Sequence, residues 1–298
     1  RLHRRHSRVR GLPETFGELP VVCLSEEIET PGEGQIRALI TVAGNPVLST
    51  PEAARLDAAL GTLEFMVSID IYLNETTRHA DVILPAPSAL QKSHYDIPLL
   101  QLAIRNVANY SPPVLPLDPG QPDEWEILCR LALVLQGMAG DDPATADPAL
   151  VDDLSISSMV ASAVADEHGP LHGRDQAEIL DQLEPRTGPE RILDFMLRSG
   201  PYGDHFGAVP DGLSLDVLLA HPHGIDLGPL QPRMPDLLRT PDGMVDLAPP
   251  ILLADVADRL RPGLDDTDDG LLLIGRRHLR SNNSWMHNVR VLVKGKPR

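Results

Sequence analysis

Three groups of polar residues in this 298-residue chain each follow an apolar run, and their types suit the holding of a nucleotide-like ligand. The first is Gly44-Asn45-Pro46, directly after the run Ile36 to Ala43. Glycine lets another molecule approach the backbone, asparagine offers an amide to a phosphate or sugar, and proline stiffens the turn. The second begins at Asp70, after Leu63 to Ile69, where a carboxylate can accept hydrogen bonds from a base or ribose. It continues through the polar run Asn74, Glu75, Thr76, Thr77, Arg78, His79 and Asp81. The third follows Leu271 to Ile274 and includes Gly275, Arg276, Arg277, His278, Arg280, Ser281, Asn282, Asn283 and Trp285. Its arginines supply charge for a pyrophosphate, and its neutral side chains supply donors and acceptors.

Blander readings stand beside each of these. A strand-to-helix turn would account for Gly44 to Pro46, an Asp capping the following turn for Asp70, and a solvated loop for the third run. The pattern G-x-G-x-x-G is absent, so the nicotinamide fingerprint is not present. His221-Pro222-His223 reads as a loop feature rather than a metal site. Asp204-His205 has no serine or cysteine placed beside it by any motif, and no triad is assigned.

The elements that must position these residues are legible from the apolar pattern. Ile36 to Ala43 reads as a strand buried on both faces of a parallel sheet. Thr50 is expected to cap a helix that has Pro51 at its first position, Leu56, Ala59 and Leu60 on its inner face, and Gly61 at its end. Leu63 to Ile69 forms the next strand and Asp81 to Pro85 a third, so Gly44 to Pro46 and Asp70 fall at the carboxyl ends of neighbouring strands. Further along, Asn106 to Gly120 reads as a proline-punctuated connection and Glu124 to Gln136 as a helix capped by Asp123. Residues 139 to 150 read as a surface linker, with helices following over Pro148 to Glu167 and Pro189 to Arg198. Gly200 to Pro250 reads as irregular chain wrapping over a neighbouring domain, with a second domain beginning near Leu271.

A net charge of -17 argues against nucleic acid as a partner, because phosphate backbones need clustered Lys and Arg. A small anionic ligand needs only a local set of donors. Residues 1 to 10 are strongly basic but precede no apolar run, which excludes a secretory signal there, and no stretch carries about 18 consecutive apolar residues. The chain therefore reads as soluble, without a membrane segment. Cys23, placed in a strand, and Cys129, placed in a helix, read as buried structural thiols. The missing initial Met and the abrupt end after an apolar run suggest a piece cut from a longer polypeptide.

Taken in order, AGNPVLS, the spaced Asp70, NETTRHADVILP, QPDEW and GRRHLRSNNSWMHN resemble the molybdopterin oxidoreductases of the dimethyl sulfoxide reductase family. The branch most similar is that of formate dehydrogenase and assimilatory nitrate reductase. The resemblance covers much of residues 10 to 136 and again 271 to 298. It implies an α/β fold, with a Rossmann-like parallel-sheet domain over 1–138, a helical and Pro/Gly-rich connecting region over 139–270, and over 271–298 the start of a C-terminal β-barrel of the double-psi type.

It further implies an oxidoreductase holding molybdenum or tungsten through two molybdopterin guanine dinucleotides, working on a small-molecule substrate with an electron-transfer partner. The implied cofactor-binding residues are Gly44, Asn45, Pro46, Asp70, Lys92, Asp123, Gly275, Arg276, Arg277, His278, Ser281, Asn282 and Asn283. At Gln91-Lys92 many relatives carry Glu-Lys, so a carboxylate contact is lost there. The metal's protein ligand and the four-cysteine iron–sulfur motif lie upstream of the matched region in the family, and no residue here is assigned as catalytic or metal-binding. The fragment alone is accordingly expected to be inactive. The alternative is a non-catalytic nucleotide- or cofactor-binding carrier module. A cytoplasmic location fits the acidic, cysteine-poor composition, although an export signal would lie upstream.

Overall fold

The computed structural model describes residues 4–140, 142, 145–238, 240–264, 270–271, 274–275 and 290–295. The chain divides into two compact units, Arg1–Leu230 and Gln231–Arg298.

In the first unit, β1 (Ala38–Val42), β2 (Phe65–Ile69) and β3 (Val82–Leu84) form a parallel sheet in the order β1-β2-β3. Val42 pairs with Ile69 and Ile69 with Leu84, which aligns the carboxyl ends of all three strands. The expected sheet is therefore present, with one correction. β1 is an edge strand, and its outward residues Ile40 and Val42 are 37% and 50% exposed, so it is not covered on both faces. The opposite face packs on α1 (Leu24–Glu29), α2 (Pro46–Ser49) and α3 (Ala53–Leu60) through Ile28, Val47, Leu56, Ala59, Leu60 and Met66.

α3 has the inner face and Gly61 end that its spacing predicts, but Thr50 does not cap it. The Thr50 hydroxyl donates to the Pro46 carbonyl at 2.7 Å and closes α2, so the helix restarts only at Ala53, after Glu52 in the left-handed region. Cys23 is buried as expected, yet it ends a 3-10 turn, Val21–Cys23, rather than lying in a strand. The basic N-terminus is not a free patch either. Arg4, Arg8 and Arg10 pair with the buried carboxylates of Glu14, Glu27 and Glu26.

The chain after β3 forms two small antiparallel sheets. One pairs β4 (His94–Tyr95) with β6 (Tyr110–Ser111), and the other pairs β5 (Arg105–Ala108) with β7 (Ile225–Pro229). The expectation of an irregular chain over 106–120 and 200–250 thus needs correcting. Both stretches supply strands, and β7 returns across more than a hundred residues to pair with β5. α4 (Glu124–Leu135) begins as predicted, with a reciprocal capping box between Asp123 and Glu126. Cys129 on α4 is half-buried, less than expected.

The helices α5 (Pro148–Ala165), α6 (Gln176–Asp181), α7 (Gly188–Ser199) and α8 (Leu215–Leu219) complete the unit. α6 and α8 are additions to the sequence reading. α5 is long and apolar enough, by length and composition, to cross a membrane. Its Ile156 and Val160 nevertheless pack against Leu171, Ile179 and Phe195, while Asp152 bonds to Arg191, so one face of α5 lies in the core of this unit. Ala108 and Tyr110 share a further core with Leu193, Leu197 and Leu215.

In the second unit, α9 (Pro250–Asp255), a π-helical turn over Val256–Leu260, and α10 (Arg261–Leu264) form one continuous helical segment, and α11 (Arg290–Val293) is separate. Leu271 and Ile274 are exposed and not in a strand, and the residues between them lie outside the described set. The expected barrel start falls largely on residues outside the described ones.

Candidate functional site

The turn after β1 and the loop after β2 are joined into one hydrogen-bonded unit. Adjacent parallel strands end level with each other, so the segments leaving them run side by side. In the first segment Ala43 adopts φ 49°, a left-handed value uncommon for a residue with a side chain, while its N–H still donates to Ile69 O at 2.9 Å. The positive φ of the turn sits at Ala43 and not at Gly44. A Cβ at Gly44 would meet only Val42 O at 3.7 Å and the Pro46 ring at 3.9 Å, both ordinary contacts. Nothing in the chain itself demands glycine there.

Asn45 is clamped from the second segment. Thr76, fully buried, donates its hydroxyl to Asn45 Oδ1 at 2.7 Å and accepts the Val47 N–H at 3.1 Å. The Asn45 Nδ2 donates to Glu75 Oε2 at 2.8 Å. Half-buried Asp70 accepts the Tyr72 N–H at 2.9 Å and the Asn74 side-chain amide at 3.2 Å, and Asn74 in turn accepts the N–H groups of Thr76 and Thr77. Gly44, Asn45, Pro46 and Asp70 are thus brought together by a short relay through residues 74 to 76.

The far end of the loop is fastened to α3. Asp57 accepts from Arg78 Nη2 and meets His79 Nε2, each at 2.6 Å. The Arg78 guanidinium, then His79, hold the Asp57 carboxyl below the usual carboxylate range, and the Asn45 amide does the same for Glu75. Both folded values are depressed, so their stabilisation is full above the unfolded value of about 4 and is lost as pH falls through the folded values. Amide hydrogen exchange across residues 70–79 is expected to speed up selectively below about pH 4 relative to β2, and equal protection at pH 5 and pH 3 would refute this. Asp81 is structural, because its carboxylate accepts the Met66 N–H at 2.7 Å and ties β3 to β2.

Lys92 and Asp123 meet at a second place, the start of α4. Lys92 Nζ donates to Glu124 Oε2 at 2.7 Å, so its charge is already partnered. Asp123 caps the helix, and burial pushes its carboxyl above the usual range. Gly275 is exposed, with nothing within 4 Å of the position a Cβ would take. Arg276, Arg277, His278, Ser281, Asn282 and Asn283 lie outside the described residues. Among the described residues no group of three or more His, Cys, Asp or Glu is gathered to hold a metal.

Sequence reasoning singles out the polar run after Asp70 without assigning roles to Thr76 and Glu75. Their partner Asn45 is about 30 residues away, and only the strand order brings them together.

A comparison with known protein families covers the same stretch. The molybdopterin oxidoreductase family model matches residues 2–132, which include both strand-end segments and the start of α4. Over residues 2–132 this chain is similar to the molybdopterin oxidoreductases. The assimilatory nitrate reductase catalytic subunit of Bacillus subtilis (strain 168) is 31% identical over 180 residues, 59% of this chain and 24% of the relative. The F420-dependent formate dehydrogenase subunit alpha of Methanocaldococcus jannaschii is 38% identical over 69 residues, 23% of this chain and 10% of the relative. A subunit of the NADH-quinone oxidoreductase of Streptomyces coelicolor is 36% identical over 81 residues, 27% of this chain and 9% of the relative. The chain spans at most about a quarter of the length of these relatives.

Proposed function

We propose that this chain is part of a molybdenum or tungsten oxidoreductase, and that the unit joining Gly44, Asn45, Pro46 and Asp70 holds the nucleotide portion of a molybdopterin guanine dinucleotide. The observation that supports this best is the convergence of the two strand-end segments inside the residues matched to the family. The names of the relatives suggest nitrate-reductase-like or formate-dehydrogenase-like two-electron chemistry for the whole protein, with a small-molecule substrate and an electron-transfer partner.

When bound, the cofactor supplies the redox chemistry at its metal, and the chain's residues bind and orient it. The donor set suits that group. Asn45 keeps one amide hydrogen beyond its bond to Glu75, and Asp70 keeps acceptor capacity beyond its two internal bonds. Gly44 has no side chain, and the two contacts a Cβ would make there are ordinary ones, which leaves its backbone approachable by a ligand. In this reading Asp123 and Lys92 also belong to the residues that bind the cofactor.

The full-length protein is then expected to contain molybdenum or tungsten and pterin in stoichiometric amounts. Asp70→Ala should lower cofactor retention about tenfold, the usual worth of a hydrogen bond to a charged group. Metal content unchanged in that variant would count against the assigned role.

A further inference from the structure

The orientation of the Asn45 amide is fixed by two partners that agree. The Thr76 hydroxyl accepts from the Val47 N–H and has a single hydrogen, which it gives to Asn45, so the atom facing Thr76 is the oxygen. The atom facing the Glu75 carboxylate is a donor, which independently places the nitrogen there. The Asn45 carbonyl thereby faces the buried Thr76, and what remains for a ligand is one N–H. Beside it stands exposed Glu75, which as an ionised carboxylate only accepts and has about four acceptor positions. Asn45 and its own backbone N–H use two of them. Arg78 attracts Glu75 but is paired with Asp57, and among the described residues no Lys or Arg makes an ion pair with Glu75 or Asp70, so a phosphate placed here would meet mainly negative charge.

We propose that Asn45 and Glu75, locked by Thr76, form a donor-beside-acceptor pair that reads a neutral lactam edge, a C=O next to ring N–H and amino donors. Asn45 Nδ2 gives its free hydrogen to the C=O, and Glu75 accepts from the N–H groups. Thr76 is the positioning residue, touching no ligand and setting which face of the amide is offered. The inference rests on the nucleotide-holding reading above and sharpens it, since it excludes the phosphates from this spot. The lactam edge is shared by a guanine base and a pterin ring, and the test separates those two sources.

Binding to the full chain is measured by thermal shift and calorimetry with GMP, AMP, ribose 5-phosphate and 6-hydroxymethylpterin. GMP, the pterin, or both are expected to bind about tenfold or more tightly than AMP and ribose 5-phosphate, because the wrong edge leaves Glu75 facing an acceptor. Binding of GMP alone assigns the base end of the cofactor to the pair, and binding of the pterin alone assigns the other end. Glu75→Gln, at an exposed position, is expected to fold normally and lose that preference. A glutamine there spends its oxygen on Asn45 and turns its NH2 to the ligand. Thr76→Val should lose the preference as well, while Thr76→Ser keeps it. Equal binding of AMP or ribose 5-phosphate, or an undiminished preference in Glu75→Gln, would overturn the inference and leave the nucleotide site standing. Failure of every probe to bind would overturn the nucleotide reading itself, and this inference with it.

Discussion

Asp152→Ala is expected to destabilise the first unit by about 3 kcal/mol, at the low end of what breaking a buried ion pair costs. Asp152 and Arg191 are only 4% and 5% exposed, and their charges meet at 2.6 Å between α5 and α7. The same carboxylate oxygen accepts the Gly188 N–H at 2.7 Å, so one substitution strands a guanidinium and a backbone donor together. The loss stays near the lower bound because Asp153 and Glu184, both more exposed, also reach Arg191. Arg191 Nε already has no partner, which leaves the group little slack for further loss. Heat denaturation should show a midpoint lowered by roughly 6–12 °C. Asp152→Asn, which can still accept from Gly188, should lose less. The surface pair Arg105–Asp226 provides the contrast, because both side chains are exposed and Asp226→Ala is expected to leave the midpoint nearly unmoved. An Asp152→Ala midpoint within about 2 °C of the parent would show that the pair does not hold these helices together.

The parts of the fold that can be read in the sequence are those whose signals are local. Leu63 to Ile69 is a mainly apolar run and becomes β2; Asp123 with Glu126 three residues on is a capping box and starts α4. Gly61 ends α3 where its spacing says it should. What the local pattern hides depends on partners far along the chain. The run Ile36 to Ala43 looks like any buried strand, and only the sheet order places β1 at an edge. β7 is hidden in a Gly- and Pro-rich stretch because its partner, β5, lies some 120 residues earlier. Arg4, Arg8 and Arg10 read as a basic patch, because their buried glutamates stand 10, 19 and 16 residues away in no common spacing.

The site divides along the same line. Gly44, Asn45, Pro46 and Asp70 are legible as strand-end residues of the right chemistry, and their position at neighbouring strand ends follows from two apolar runs and a helix between them. The roles within the site are not. Gly44 reads as letting a ligand approach the backbone, while the left-handed conformation at Ala43 has no signal in its residue type. Asn45 reads as offering its amide to a phosphate or sugar, whereas Thr76 and Glu75 decide which of its atoms remains available. Thr50 reads as a cap because its type and its place before Pro51 fit one, but its hydroxyl turns back to Pro46.

Gly44 provides the most direct test that these residues form a cofactor site. Its φ is not left-handed, and an added Cβ would touch only Val42 O and the Pro46 ring at ordinary distances, so Gly44→Ala should leave stability within about 0.5 kcal/mol. The new methyl group would occupy the space assigned to the ligand. A group forced into a filled site costs several-fold to a hundredfold in affinity, roughly 1–3 kcal/mol. The deciding measurement is the pterin and metal content of the full-length Gly44→Ala protein beside the parent, with thermal unfolding of both after cofactor removal. A cofactor site here requires an unfolding midpoint that does not move and a cofactor content that falls at least several-fold. Full cofactor content in a normally folded Gly44→Ala protein would contradict it.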